Sequence, residues 1–237
     1  MTATAGRIAP SGRVHLEVIR GGQHAAPNLP PHELTFRDVV RYGMPNSTVP
    51  AATNDYRVRN AGNLWRGFRR VAAAKAMGIA TIYGALGLKV IRGDGHVEDL
   101  GLVSMRVVTN NGVGFIVDAF QNLVELETMK YHGFGTGTNA EAAADSALQT
   151  ELTTEYATDN TRPTGTTTES AANIYQSVAT FAPDSGGTIA VTEHGLFAQA
   201  ATGGGVLGDR SKFSVVNVVA AADSIVSTYS LTLTAGS

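Results

Sequence analysis

The chain has no cysteine, which excludes a disulfide framework and any thiolate metal site. It has no uninterrupted apolar run of the roughly 18–20 residues that a membrane-spanning helix needs. Its opening, Met1-Thr2-Ala3-Thr4-Ala5-Gly6-Arg7, carries no apolar stretch of the kind a secretory signal has, and none is expected. Tryptophan occurs once, and charged residues make up only 16% of the chain. What is present is a hydrophobic fraction of 43% with mean hydropathy near zero, the balance of a packed domain and not of a disordered one. At 237 residues the chain can bury a sizeable core, as one large all-β domain or two smaller ones.

Net charge is −2, but the signs are segregated. Residues 1–93 hold 13 basic and 4 acidic side chains, against 5 and 16 in the remainder. Such a split implies two environments or two partners. One reading gives the basic half an acidic partner or nucleic acid. The plainer reading, which we adopt, is attraction between the halves of one molecule or of neighbouring subunits. The basic residues lack the interleaved aromatics of a nucleic-acid groove.

Residues 1–60 are dense in breaks: Pro10, Pro27, Pro30-Pro31, Pro45 and Pro50 with Gly12 and Gly21-Gly22. Strand character is confined to short runs, notably 13–20. This predicts an extended N-terminal arm whose apolar residues, among them Leu34, Phe36 and Tyr42, lie on a partner. Residues 61–77 have Leu64, Trp65, Phe68 and Val71 near a 3.6-residue period and predict a helix ended by Gly78. The aliphatic runs 79–91 and 100–108 flank Gly93-Asp94-Gly95-His96, a hairpin signal. Residues 113–123 have helical spacing, with Asn110 or Asn111 as the expected cap. Strands are predicted at 130–134, 173–181, 188–198, 211–219 and 224–234, with 153–172 an ordered loop or edge excursion.

The fold class is therefore mainly β: a C-terminal antiparallel β-sandwich or small barrel, preceded by an extended arm and one or two short helices. Three regions follow: an arm over 1–60, a helix-and-hairpin connecting region over 61–123, and a sandwich domain over 124–237. The expected interface residues are Leu34, Phe36, Tyr42, Trp65 and Phe68.

Motifs for chemistry are weak. Gly133-Phe134-Gly135-Thr136-Gly137 invites comparison with phosphate loops. The third glycine of a dinucleotide fingerprint is replaced by Thr138, however, and no Gly-Lys-Ser/Thr follows. Gly135 and Gly137 are expected to build a tight turn through positive φ, so that valine at either costs a few kcal/mol. His132, Glu193 and His194 are the only set to check for a metal, and their spacing lacks the His-Glu-x-x-His pattern of one helix. No Gly-x-Ser-x-Gly elbow and no glycosidase-like carboxylate pair is present. Glu125, Glu127 and Lys130 are expected along a strand edge. The sequence thus predicts no enzyme, no cofactor and no metal.

The order of motifs is more telling. Lys130 to Phe134 leads into Gly135-Thr136-Gly137, then Asp145-Ser146-Ala147-Leu148-Gln149-Thr150-Glu151. Thr161-Arg162-Pro163-Thr164-Gly165, Asn173-Ile174-Tyr175, Val191 to Phe197, Asp209 to Phe213 and Asp223 to Thr234 follow. Over roughly the last 110 residues this succession resembles a module of structural proteins in tailed bacteriophage virions. The resemblance implies a particle component folded in the host cytoplasm, a homo-oligomer with a trimer among its forms. Its partners would be the major capsid protein or a portal or tail ring; a membrane partner is not expected. A head-surface decoration (cement) protein docked through the arm is the first expectation, and a neck, tail-adaptor or short-fibre component the second. A carbohydrate-binding receptor module is the third, for which Tyr156, Tyr175 and Tyr229 are too dispersed.

Overall fold

The computed structural model describes residues 7–8, 14–15, 29–30 and 32–236. β1 (Arg7–Ile8) and β2 (Val14–His15) pair antiparallel with each other. The remainder of the strand expected over 13–20 lies outside the described residues, as do most residues of the predicted arm before residue 29.

From residue 36 onward the arm expectation is corrected. Phe36–Gly43 form a helix, α1, closed by a capping box: Asp38 N–H donates to Thr35 Oγ1 at 3.3 Å and Thr35 N–H to the Asp38 carboxylate at 3.0 Å. Helix α2 runs over Ala51–Ala76, ten residues earlier than its periodicity predicted. The prolines that suggested an extended path stand at helix boundaries. Pro45 follows the end of α1, and Pro50 is the N-cap of α2, where a missing N–H costs nothing.

The rest is β-rich: β3 (Thr81–Ile91), β4 (Val97–Val107), β5 (Tyr131–Gly135), β6 (Thr166–Ala171), β7 (Ile174–Phe181), β8 (Thr188–Phe197), β9 (Leu207–Val219) and β10 (Ser224–Thr234), with α3 (Asn110–Phe120) between β4 and β5. One antiparallel sheet has the order β4-β3-β10-β7-β6 and the other β5-β8-β9. The hairpin turn is built as expected, with Gly95 at φ +83°. That hairpin is not a connector, however. β3 pairs with β10 along its whole length, from Thr81↔Thr234 to Ile91↔Ser224, so the expected boundary at 123/124 divides a single sheet. The 153–172 excursion ends in β6, an edge strand on β7. Residues 126–128 form a 3₁₀ turn, so Glu125 and Glu127 do not line a strand as expected.

The two sheets face each other across a core that includes Leu86, Leu88 and Val90 of β3, Phe134 of β5, Phe181 of β7 and Phe213 of β9. Tyr83 and Ala85, of opposite parity on β3, point instead into a second core under α1 and α2 with Val39, Leu64 and Val71. The register of β3 with β4 skips Leu100 and Val103, and both point into the inter-sheet core.

β4 and β9 are edge strands of different sheets, and α2 packs against both. Its buried residues Thr53, Tyr56, Asn60, Leu64, Gly67 and Val71 recur at three- and four-residue steps. Asn60, 1% exposed, joins the sheets: its Nδ2 donates to the Val103 carbonyl at 2.7 Å, and its Oδ1 accepts from Ser214 N–H at 2.9 Å. Asn60→Ala should therefore orphan the buried Val103 carbonyl, at about 1–3 kcal/mol, and the half-buried Ser214 N–H at less. Chemical denaturation checks this; an unchanged midpoint would mean the helix does not staple the sandwich.

Candidate functional site

The Gly-Thr-Gly segment opens a loop that returns to the sheet where Glu151 bridges Gly135. Glu193 of β8, fully buried, organises that loop. Its Oε1 accepts from Gly137 N–H at 3.0 Å and Thr150 N–H at 2.8 Å, and its Oε2 from Gln149 N–H at 3.1 Å. Arg210 of β9 completes the set, with Nε and Nη2 at 2.9 and 2.7 Å from Glu193 Oε2. The same guanidinium reaches Asp145 at 2.9 Å and Asn139 Oδ1 at 2.5 Å. Glu193, Arg210 and Asp145 lie far apart in sequence, and β8–β9 pairing brings the first two side by side.

Gly135 and Gly137 therefore serve differently from the expectation. Neither has positive φ. A Cβ on Gly135 would collide with the Thr150 carbonyl and stand 2.5 Å from Glu193 Oε1, and one on Gly137 would collide with that carboxylate oxygen and stand 2.5 Å from Gln149 Cβ. The glycines permit the backbone to close on a carboxylate. The N–H groups that a phosphate would need are also taken: Gly137 donates to Glu193, and Thr138 and Asn139 to Gln149 Oε1 at 2.7 and 2.8 Å.

A second arginine holds the neighbouring loops. Arg162, 1% exposed, makes a bidentate pair with Glu151 at 2.5 and 2.9 Å. It also donates to the carbonyls of Gln199, Ala201 and Gly204, and stacks 3.5 Å above the Phe197 ring.

Of the three residues singled out for a metal, two meet. His132 Nδ1 lies 2.9 Å from His194 Nε2, whereas Glu193, next to His194 on the strand, engages Arg210 and the loop. His132 also contacts Ser177 Oγ at 2.9 Å and Ser227 Oγ at 2.8 Å. A serine–histidine contact of this length suits nucleophile activation, but all four side chains are sealed inside the sandwich. Burial pushes His132 down to about 3 and holds His194 well below its usual range, with His132 adding to the effect. Asp209, buried nearby on β9, is pushed up to about 7 by desolvation.

The accessible features lie elsewhere. Three of the five expected interface residues gather on α1 and α2: ring centroids of Phe36, Trp65 and Phe68 are 5.4–6.1 Å apart, with Phe36 58% and Trp65 37% exposed. Phe68 is half-buried against the second core, as are Leu34 and Tyr42. A larger apolar feature was not foreseen. Helix α3 is capped by Thr109, whose Oγ1 accepts from Gly112 N–H at 3.0 Å, not by Asn110 or Asn111. It packs Gly112 and Phe115 inward and leaves Val113, Val117 and Phe120, which carry the helical spacing, exposed. Beneath it an open groove of about 430 Å³ is lined by Phe115, Phe120, Leu126, Met129, Tyr229 and Leu233, among others. Apolar residues on both faces of the α3 segment are the signal that could have shown it.

Glu193→Gln should cost about 3–5 kcal/mol, since Arg210 is left buried without its main counter-charge. Gly137→Ala should cost about 1–3 kcal/mol, and less in a Glu193→Asp background that draws the carboxylate back; a penalty independent of residue 193 would contradict the close-approach account. Acid should weaken the fold. Both histidines have folded-state values below those of the unfolded chain, so unfolding takes up two protons as pH falls from about 6.5, while Asp209, raised in the fold, releases one. Urea titrations between pH 6 and 4.5 should show a net loss approaching about 1.4 kcal/mol per pH unit; stability that stays flat or rises over this range would show that the histidines are not held neutral.

The chain matches no protein-family model, and a comparison with curated proteins likewise gives no match.

Proposed function

We propose that this protein is a structural component of a tailed-phage virion, most readily a decoration protein on the head surface. The observation that carries the reading is the exposed apolar face of α3 and the turn after it, with Phe120, which lines the groove, 85% exposed and Leu123 67% exposed. Apolar surface this concentrated marks a place where another macromolecule sits. The second patch, Phe36-Trp65-Phe68, gives the chain two such faces. The motif residues that resemble the phage module support the reading from within. Glu193, Arg210, Asp145, Glu151 and Arg162 are spent on fixing loops, which suits a rigid building block.

A decoration protein acts by mass action: whatever binds only the assembled lattice stabilises it. The sugar-binding alternative is less well supported, because Tyr156 and Tyr229 are buried and Tyr175 is half-buried with its hydroxyl on the Met129 carbonyl at 2.8 Å. Quantitative mass spectrometry of purified particles tests the proposal. We expect a copy number comparable with that of the capsid subunit. A number matching a single ring would favour a neck or tail adaptor, and absence from the particle would end the virion reading.

A further inference from the structure

We propose that the two apolar faces bind each other between copies of this chain, the aromatic face on α1 and α2 of one seating against the α3 face of the next. The inference rests on the particle-building reading and names the partner of its two surfaces. Charge complementarity selects a second copy over other occupants. From Phe36 to Ala76 the chain has eight basic and two acidic side chains, of which Arg57 is buried and Lys75 is paired with Glu33; exposed Arg37 adjoins Phe36, and exposed Arg69 lies one turn from Trp65. From Val108 to Met129 it has three acidic side chains and no basic one, and Asp118, Glu125 and Glu127 are exposed around Phe120, Leu123 and Leu126. Each face is thus an apolar centre with a charged rim, and the rims are of opposite sign. Each rim opposes pairing of a face with itself, since like charges would be brought together, and favours the other face. The groove below α3 gives the protruding aromatic rings a recess in which to bury, as interface anchors do.

The resulting contact is heterologous: each copy offers one face and receives the other, and copies propagate until the rotation closes a ring. Two substitutions at exposed, helix-compatible positions separate the faces. Phe36→Asp puts an acid in the first turn of α1 and spoils the basic face. Phe120→Lys puts a cation in the last turn of α3 and spoils the acidic one.

Sedimentation velocity of the full chain over a concentration series is the test, with thermal melts verifying that both variants stay folded. The wild type should self-associate, more weakly as salt rises. Each variant alone should lose at least about tenfold in association. An equimolar mixture should recover dimers and nothing larger, because one intact pair of faces remains. Three outcomes overturn the proposal: a wild type monomeric at every concentration, a variant that associates as well as wild type, or a mixture that forms no dimers. A monomeric wild type would leave the virion role standing, since copy number in particles measures that separately.

Discussion

The loops at one end of this sandwich depend on a carboxylate with no exposure to water. Glu193 accepts from Gly137, Gln149 and Thr150 and pairs with Arg210, so a long irregular segment is bound to β8 and β9 through one side chain. A buried charge is costly, and the cost is offset here because the lone pairs face fixed donors and a guanidinium that itself reaches Asp145 and Asn139. Arg162 repeats the device beside it, with Glu151 and three carbonyls. Without these two centres the backbone from 136 to 165, which has little secondary structure of its own, would need some other source of order.

The second constraint is the joint between the sheets. β4 and β9 are edges, and an edge with free N–H and C=O groups invites misassociation. Helix α2 covers both and ties them through Asn60, which makes this basic helix a part of the sandwich and not an appendage. The charge segregation then takes on a structural meaning. Arg57 is used internally, donating to the Leu100 and Arg41 carbonyls, while Arg59, Arg66, Arg69 and Arg70 remain on the outer face of the same helix. Buried Asn60, Glu193, Arg162 and Arg210 are engaged in holding the molecule, whereas its exposed apolar and charged faces lie outside those networks. That division is what the proposed role in a particle requires.

Much of the architecture was legible in the sequence. β7, β8 and β10 fall within about a residue of the segments that alternation and turn residues marked, and the Asp94-Gly95 hairpin is where it was placed. These features are local: a period-two pattern or a positive-φ glycine is sensed within a few residues. α1 was also locally encoded, by Thr35 and Asp38 in a capping box, but dense prolines drew attention to what they break and away from where helices begin. The purpose of Gly135 and Gly137 was not local, because the atom they must admit belongs to a residue almost sixty positions away.

Sequence by itself determined the class of the protein: β-rich, free of disulfides, segregated in charge, with an ordered series of turn and strand motifs. Only the tertiary structure decided which of those residues meet. Strand pairing set Glu193 beside Arg210, turned His194 toward His132 and away from Glu193, and made the stretch expected to connect domains supply two strands, β4 and β3, of the five-stranded sheet. It also decided that α3 buries Gly112 and Phe115 and presents Phe120 to solvent. Burial is a property of what packs against a segment, and a helix with apolar residues on two faces does not say which face will be covered.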